Sequence, residues 1–164
     1  MPRLSTALPA YRQALADGSF RQTYQALVSL VQELRTDLHK ELAPDWRVAK
    51  LLHGYVDYTY FYLQDDFLQA RRLKLAVVLD HAQTHFELWL LGQTKAVQRD
   101  WWTRLQGLAH VDPHQMPTYA IFARPLLDEA DQADFDDPAG LCAAVHQAFI
   151  QHNSALRPHL VARS

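Results

Sequence analysis

Apolar positions recur at helical spacing near the start of the chain, alternate with polar ones in the middle, and return to helical spacing near the end. Leu8, Tyr11 and Leu15 share one side of a helix predicted from about Leu8 to Ala16. Asp17-Gly18 should stop it, because glycine accepts the left-handed conformation after a helix. Ser19, with Gln22 three residues on, fits a capping box for a second helix. There Phe20, Tyr24, Leu27, Val31, Leu34 and Leu38 form one apolar stripe, and Ala43-Pro44 closes the helix. Leu51 to Leu63 is rich in aromatic and β-branched residues and reads as one strand. Asp65 and Asp66 are placed to cap a short helix over Phe67 to Arg71.

A hairpin should follow. Leu73, Leu75, Val77 and Leu79 alternate with Lys74, Ala76, Val78 and Asp80. After a turn at His81 to Thr84, Phe86, Leu88 and Leu90 alternate with Glu87, Trp89 and Leu91. Thr94 caps a helix carrying Val97, Trp101 and Leu105, which Gly107 ends; His110 to Pro117 is a loop. Tyr119 to Arg124 reads as a fourth strand, and Asp128 to Asp137 as an acidic, solvated connector. Asp137-Pro138 starts a last helix with Leu141, Val145, Ala148, Phe149 and His152 inward, and the tail should fray from Asn153 onward. The main order is α-α-β-β-β-α-β-α. It predicts an α+β fold, a mainly antiparallel four-stranded sheet packed by helices.

Composition narrows the function classes. With 164 residues, 49% hydrophobic and 21% charged, residues 1–164 are read as a single α+β domain with enough core to fold without staples. A net charge of −2 argues against coating nucleic acid, which needs an excess of Lys and Arg. One cysteine, Cys142, makes neither an internal disulfide framework nor a thiolate zinc cluster. The N-terminus has no signal-like apolar core, and the aliphatic runs Leu75 to Leu79 and Leu88 to Leu91 fall far short of the roughly 20 residues of a membrane helix. A soluble, cytoplasmic protein with no membrane partner is expected.

Candidate chemistry lies on the sheet. Alternation collects Asp57 and Thr59, Lys74 and Asp80, and Glu87 and Trp89 on the less apolar face. Carboxylates on joined strands hold Mg²⁺ in phosphodiester hydrolysis, with a lysine stabilising developing charge. The element order resembles the restriction-endonuclease-like nuclease core, whose acid, spacer and Glu-x-Lys would fall on Asp80 and Glu87-Leu88-Trp89. Trp89 stands where that lysine belongs, no Pro-Asp precedes the hairpin, and Lys74 would have to take the role from another strand. The plainer reading of these residues is a partly solvated sheet face.

Other candidates have equally plain readings. His81 and His85 flank a turn and His110 and His114 bracket a Pro-containing loop, where four-residue spacing does not converge two imidazoles, so no metal site is assigned to the histidines. Cys142 lies in an apolar helix four residues before His146 and reads as a structural thiol. Tyr55, Tyr58, Tyr60, Phe61 and Tyr62, with Trp89, Trp101 and Trp102, supply aromatic surface for a ligand or an interface, unless helices cover both faces of their strand. Adjacent tryptophans point about 100° apart on a helix, which offers Trp102 for dimer contact.

Three segments carry a resemblance: Gly54-Tyr55-Val56-Asp57-Tyr58-Thr59-Tyr60-Phe61, Leu73-Lys74-Leu75-Ala76-Val77-Val78-Leu79-Asp80-His81, and Phe86-Glu87-Leu88-Trp89-Leu90-Leu91-Gly92. With the helix containing Gln98 and Trp101-Trp102, the chain resembles a family of small uncharacterised bacterial proteins classed as a domain of unknown function. The resemblance implies a bacterial, soluble, single-domain protein and no activity, so the residues speak for themselves. They favour a non-enzymatic module that needs no cofactor and binds a protein partner, a second copy or a small ligand through Tyr55, Tyr60, Trp89 and Trp102. The alternative is a divergent metal-dependent nuclease or phosphoesterase using Asp57, Asp80 and Glu87 with Lys74 and Mg²⁺.

Overall fold

The computed structural model describes residues 3–128 and 133–161. Helix α1 (Leu4–Ala16) and helix α2 (Gly18–Leu42) are separated by Asp17 alone. Asp17 is extended, and its carboxylate accepts from the Ser19 backbone N–H at 3.0 Å and the Ser19 hydroxyl at 2.7 Å. Gly18 is therefore the first residue of α2 rather than a left-handed stop, and Asp17 caps the helix in place of the expected Ser19–Gln22 box. Aspartate and serine are comparable caps, and the aspartate comes first in the chain. The apolar stripe of α2 is graded. Val31, Leu34 and Leu38 are buried, Tyr24 and Leu27 half-buried, and Phe20 is 48% exposed, so the first turns overhang the core.

The sheet has two more strands than expected. Strands β1 (Arg47–Val48) and β2 (Leu52–Gly54) both lie along one edge of β3 (Tyr58–Gln64), antiparallel to it. The single strand read over Leu51 to Leu63 is thus a hairpin whose chain reverses at Tyr55–Asp57. Arg35 of α2 spans the break between β1 and β2, donating to the carbonyls of Val48 at 3.0 Å and Ala49 at 2.9 Å. Next come helix α3 (Asp66–Ala70), strands β4 (Leu73–Asp80) and β5 (His85–Gly92), helix α4 (Lys95–Arg104), strand β6 (Phe122–Pro125) and helix α5 (Pro138–Leu156). The sheet runs β1-β3-β4-β5-β6, every neighbour antiparallel, with β2 on β3.

Period-two alternation holds across β4 and β5. Leu73, Leu75, Val77 and Leu79 with Phe86, Leu88 and Leu90 are all buried, facing a core that includes Val31, Leu34 and Leu38 of α2 and Leu141, Val145 and Phe149 of α5. The caps expected at Asp65, Thr94 and Asp137 are present; their side chains accept from Leu68, Val97 and Gly140 N–H. The C-terminal segment does not fray at Asn153. Leu156 and Leu160 are buried, a 3-10 turn covers Arg157–Leu160, and Arg157 pairs with Asp65 while its guanidinium lies 4.7 Å from the Phe67 ring centroid. Tertiary anchoring here overrides a polar local sequence. The acidic connector lies partly outside the described residues. No helix among the described residues is long and apolar enough to cross a membrane.

Candidate functional site

Thr59, Phe61 and Leu63 of β3 point toward the helices and are buried. Tyr58, Tyr60 and Tyr62 point the other way and are half-buried. They pack on a second small cluster, Ala76, Val78, Trp89, Leu91 and Ala120, which among the described residues draws nothing from a helix. The expectation of a wet face carrying Asp57 and Thr59 is therefore corrected in its register. Tyr58, not Asp57, lies beside Asp80 in the ladder. Asp57 falls in the turn before β3, and Thr59 faces inward with its hydroxyl 2.7 Å from His81 Nε2.

Between these rings lies a shallow groove of about 230 Å³, lined by Tyr58, Tyr60, Tyr62, Trp89 and Tyr119, with Tyr55 and Asp57 at its rim. Trp89 stacks on Tyr119, with centroids 6.4 Å apart and planes within 6°, and meets Tyr58 edge-on at 5.1 Å. Tyr60 and Tyr62 are also edge-on, at 5.5 Å. Such offset and T-shaped pairs are the favoured aromatic geometries. Tyr55 is 91% exposed and has a φ of 57°, the left-handed region that turns the chain out of β2. The Tyr24 hydroxyl of α2 holds this turn by donating to the Tyr55 carbonyl at 3.2 Å.

Burial, reinforced by the neighbouring Tyr60, pushes the Tyr62 phenol up to about 12. Burial also raises Tyr58, and the carboxylates of Asp80, Glu87 and Asp57 add to the effect. Both phenols stay protonated at neutral pH, so the groove offers hydroxyls and ring faces rather than a phenolate base. Lys74 lies over Tyr62, its ammonium 3.5 Å from the ring centroid, and burial lowers its pKa.

At one end the sheet gathers charge. Asp80, His85 and Glu87 each place one potential ligand atom within 4.8 Å of the others. Asp80 Oδ1 caps the hairpin turn, accepting from Ala82 and Gln83 N–H at 2.8 and 3.0 Å. One Glu87 oxygen lies 2.9 Å from His85 Nε2, and the other accepts from Trp89 Nε1 at 2.6 Å. Sequence reading placed His85 beside the turn and gave it no ligand role. The signal was available: His85 and Glu87 are two apart at the start of an alternating strand, hence on one face.

The remaining candidates are dispersed. Lys74 is six residues from Asp80 along β4, about 20 Å at roughly 3.3 Å per residue, so it cannot assist chemistry at Asp80 and Glu87. Trp102 belongs to α4, packs against the main core and donates to the Asp112 carbonyl at 3.0 Å, away from the sheet rings. It is half-buried. Cys142 is half-buried, and burial together with the carboxylates of Asp37 and Glu33 raises its pKa, which disfavours a nucleophilic thiolate.

No curated protein and no solved structure matches the chain. A family model described as "Domain of unknown function (DUF7000)" matches residues 4–160, from the first residue of α1 to the 3-10 turn after α5, and the chain therefore belongs to the DUF7000 family.

Proposed function

We propose that this protein is a non-enzymatic binding module whose recognition surface is the aromatic groove on the helix-free side of the sheet. The observation that carries this reading is the concentration of five rings from β3, β5 and Tyr119 on a face that no helix among the described residues covers. Two-sided helical cover would have made the same rings ordinary core. Tyrosine and tryptophan give a large contact area at low entropic cost and keep a polar edge for orientation. A fragment screen by NMR tests it. Hits should shift the Trp89 indole N–H and leave Trp46, Trp101 and Trp102 still, and Tyr60→Ala should abolish the shifts while Tm changes little. Fragments that shift no groove resonance would remove the proposal. Light scattering across a concentration series separates a small ligand from a second copy as the occupant, since self-association would appear there.

One observation favours a second reading, metal-dependent phosphodiester hydrolysis. Asp80 and Glu87 converge with His85 closely enough to share a divalent cation. Asp57 in the turn and Lys74 at the far end of β4 lie outside that cluster. Calorimetry with Mn²⁺ and Mg²⁺ decides: heat of binding that disappears in Glu87→Gln supports it, and no heat eliminates it.

A further inference from the structure

The groove is small and its charge is graded, acidic at the Tyr58 end and basic where Lys74 lies over Tyr62. At about 230 Å³ it falls below the roughly 300–1,000 Å³ that drug-sized ligands fill, so it suits a headgroup rather than an extended molecule. Its upper end is walled by Tyr58, Trp89 and Tyr119 and carries the exposed Asp57 at its rim. Asp80 lies beside Tyr58 in the ladder, and Glu87 accepts the Trp89 indole N–H at 2.6 Å. A carboxylate on an indole N–H pushes electron density into the ring and strengthens the negative potential of its face. The same sheet face already shows this chemistry in its own residues, for Lys74 rests its ammonium 3.5 Å from the Tyr62 centroid at the opposite end. Lys74 is about 20 Å from Asp80 by strand rise but only two ladder positions, roughly 7 Å, from Ala76, the partner of Trp89, so its charge reaches the Trp89 side of the groove and fades toward Tyr58. The acidic surplus of Asp57, Asp80 and Glu87 is gathered at the Tyr58 end.

We infer, building on the reading of the groove as a binding site, that its ligand is a small organic cation, a quaternary or multiply methylated ammonium, seated among Tyr58, Trp89 and Tyr119 beneath the Asp57 carboxylate. An aromatic cage pays little desolvation for such a cation, which holds its water loosely, and attracts it through the ring faces. The Asp80 and Glu87 carboxylates contribute field rather than contact, because Asp80 Oδ1 and both Glu87 oxygens are already engaged. The field is felt in the groove, since the same carboxylates help to raise the Tyr58 phenol.

The test is a titration of the full chain with choline and tetramethylammonium, followed at the Trp89 indole N–H. The uncharged tert-butyl analogue of choline is the control of equal shape. Binding of the cations on the order of tenfold tighter than the analogue is expected, given cation–π strengths of about 1–2 kcal/mol. Asp57→Asn, an exposed turn substitution, should weaken the cations several-fold and leave the analogue unchanged. Trp89→Phe should weaken both cations and remove the reporter signal, with Tyr58 resonances then following binding. Equal affinity for cation and analogue overturns the inference and leaves the binding groove standing. Binding of aromatic fragments without either cation does the same. Silence toward cations, analogue and fragments alike overturns both readings.

Discussion

At the scale of single residues, two histidines make the protein acid-sensitive. Burial lowers the pKa of His81, against the pull of Asp80 and Asp57, and likewise that of His152, which hydrogen-bonds the Leu126 carbonyl at 3.0 Å. A folded-state pKa below the unfolded value of about 6.5 means that the unfolded chain binds more protons below that pH. The stability these groups contribute is present above about pH 6.5 and is lost as pH falls through their folded pKa values. Thermal melts should therefore shift down by a few degrees between pH 7 and 5, and His152→Gln should flatten that dependence. Asp65 does two jobs, capping α3 through Leu68 N–H at 2.9 Å and pairing with Arg157 of the C-terminal turn. Asp65→Ala should cost about 2 kcal/mol in urea unfolding, the loss of a cap together with a half-buried ion partner. The cap was legible in the sequence, since an aspartate precedes a short apolar run. The ion pair was not, because 92 positions separate its members.

Elements were legible where the local chemistry was single-minded. β4 and β5 alternate cleanly around a four-residue turn, and their pairing follows from that pattern. The reversal between β2 and β3 was hidden because Tyr55 and Val56 are strand-forming residues, and only a positive φ at a tyrosine makes the turn. That one miss shifted the parity of β3 and exchanged Asp57 and Thr59 for the tyrosines on the open face. The junction of β5 and α4 gives a sharper test. A Cβ on Gly92 would sit 2.6 Å from Gln98 N and 2.9 Å from its Cα, backbone atoms that cannot swing away. Gly92→Ala should destabilise by about 1–3 kcal/mol in chemical denaturation. The α1 helix marks the other extreme, since none of its residues is buried. Leu8→Ser and Tyr11→Ser should each change stability by no more than about 0.5 kcal/mol.

For the whole molecule, the α+β class follows from the order of the elements, while the candidate site required knowing what the helices leave uncovered. Periodicity shows that both parities of β3 carry rings, but which parity meets α2 and α5 depends on packing between distant segments. The groove and the Asp80–His85–Glu87 cluster share one end of the open face, so ligands of both would compete through charge there. The uncovered face has a kinetic meaning. On the proposed reading, a visitor reaches the groove without any helix among the described residues having to move, and it meets Trp89 by its 8% exposed edge beside Tyr119. Encounters should be captured in a single step, the stopped-flow rate climbing in proportion to concentration without a plateau, and specificity should reside in how long the visitor stays rather than in how fast it enters.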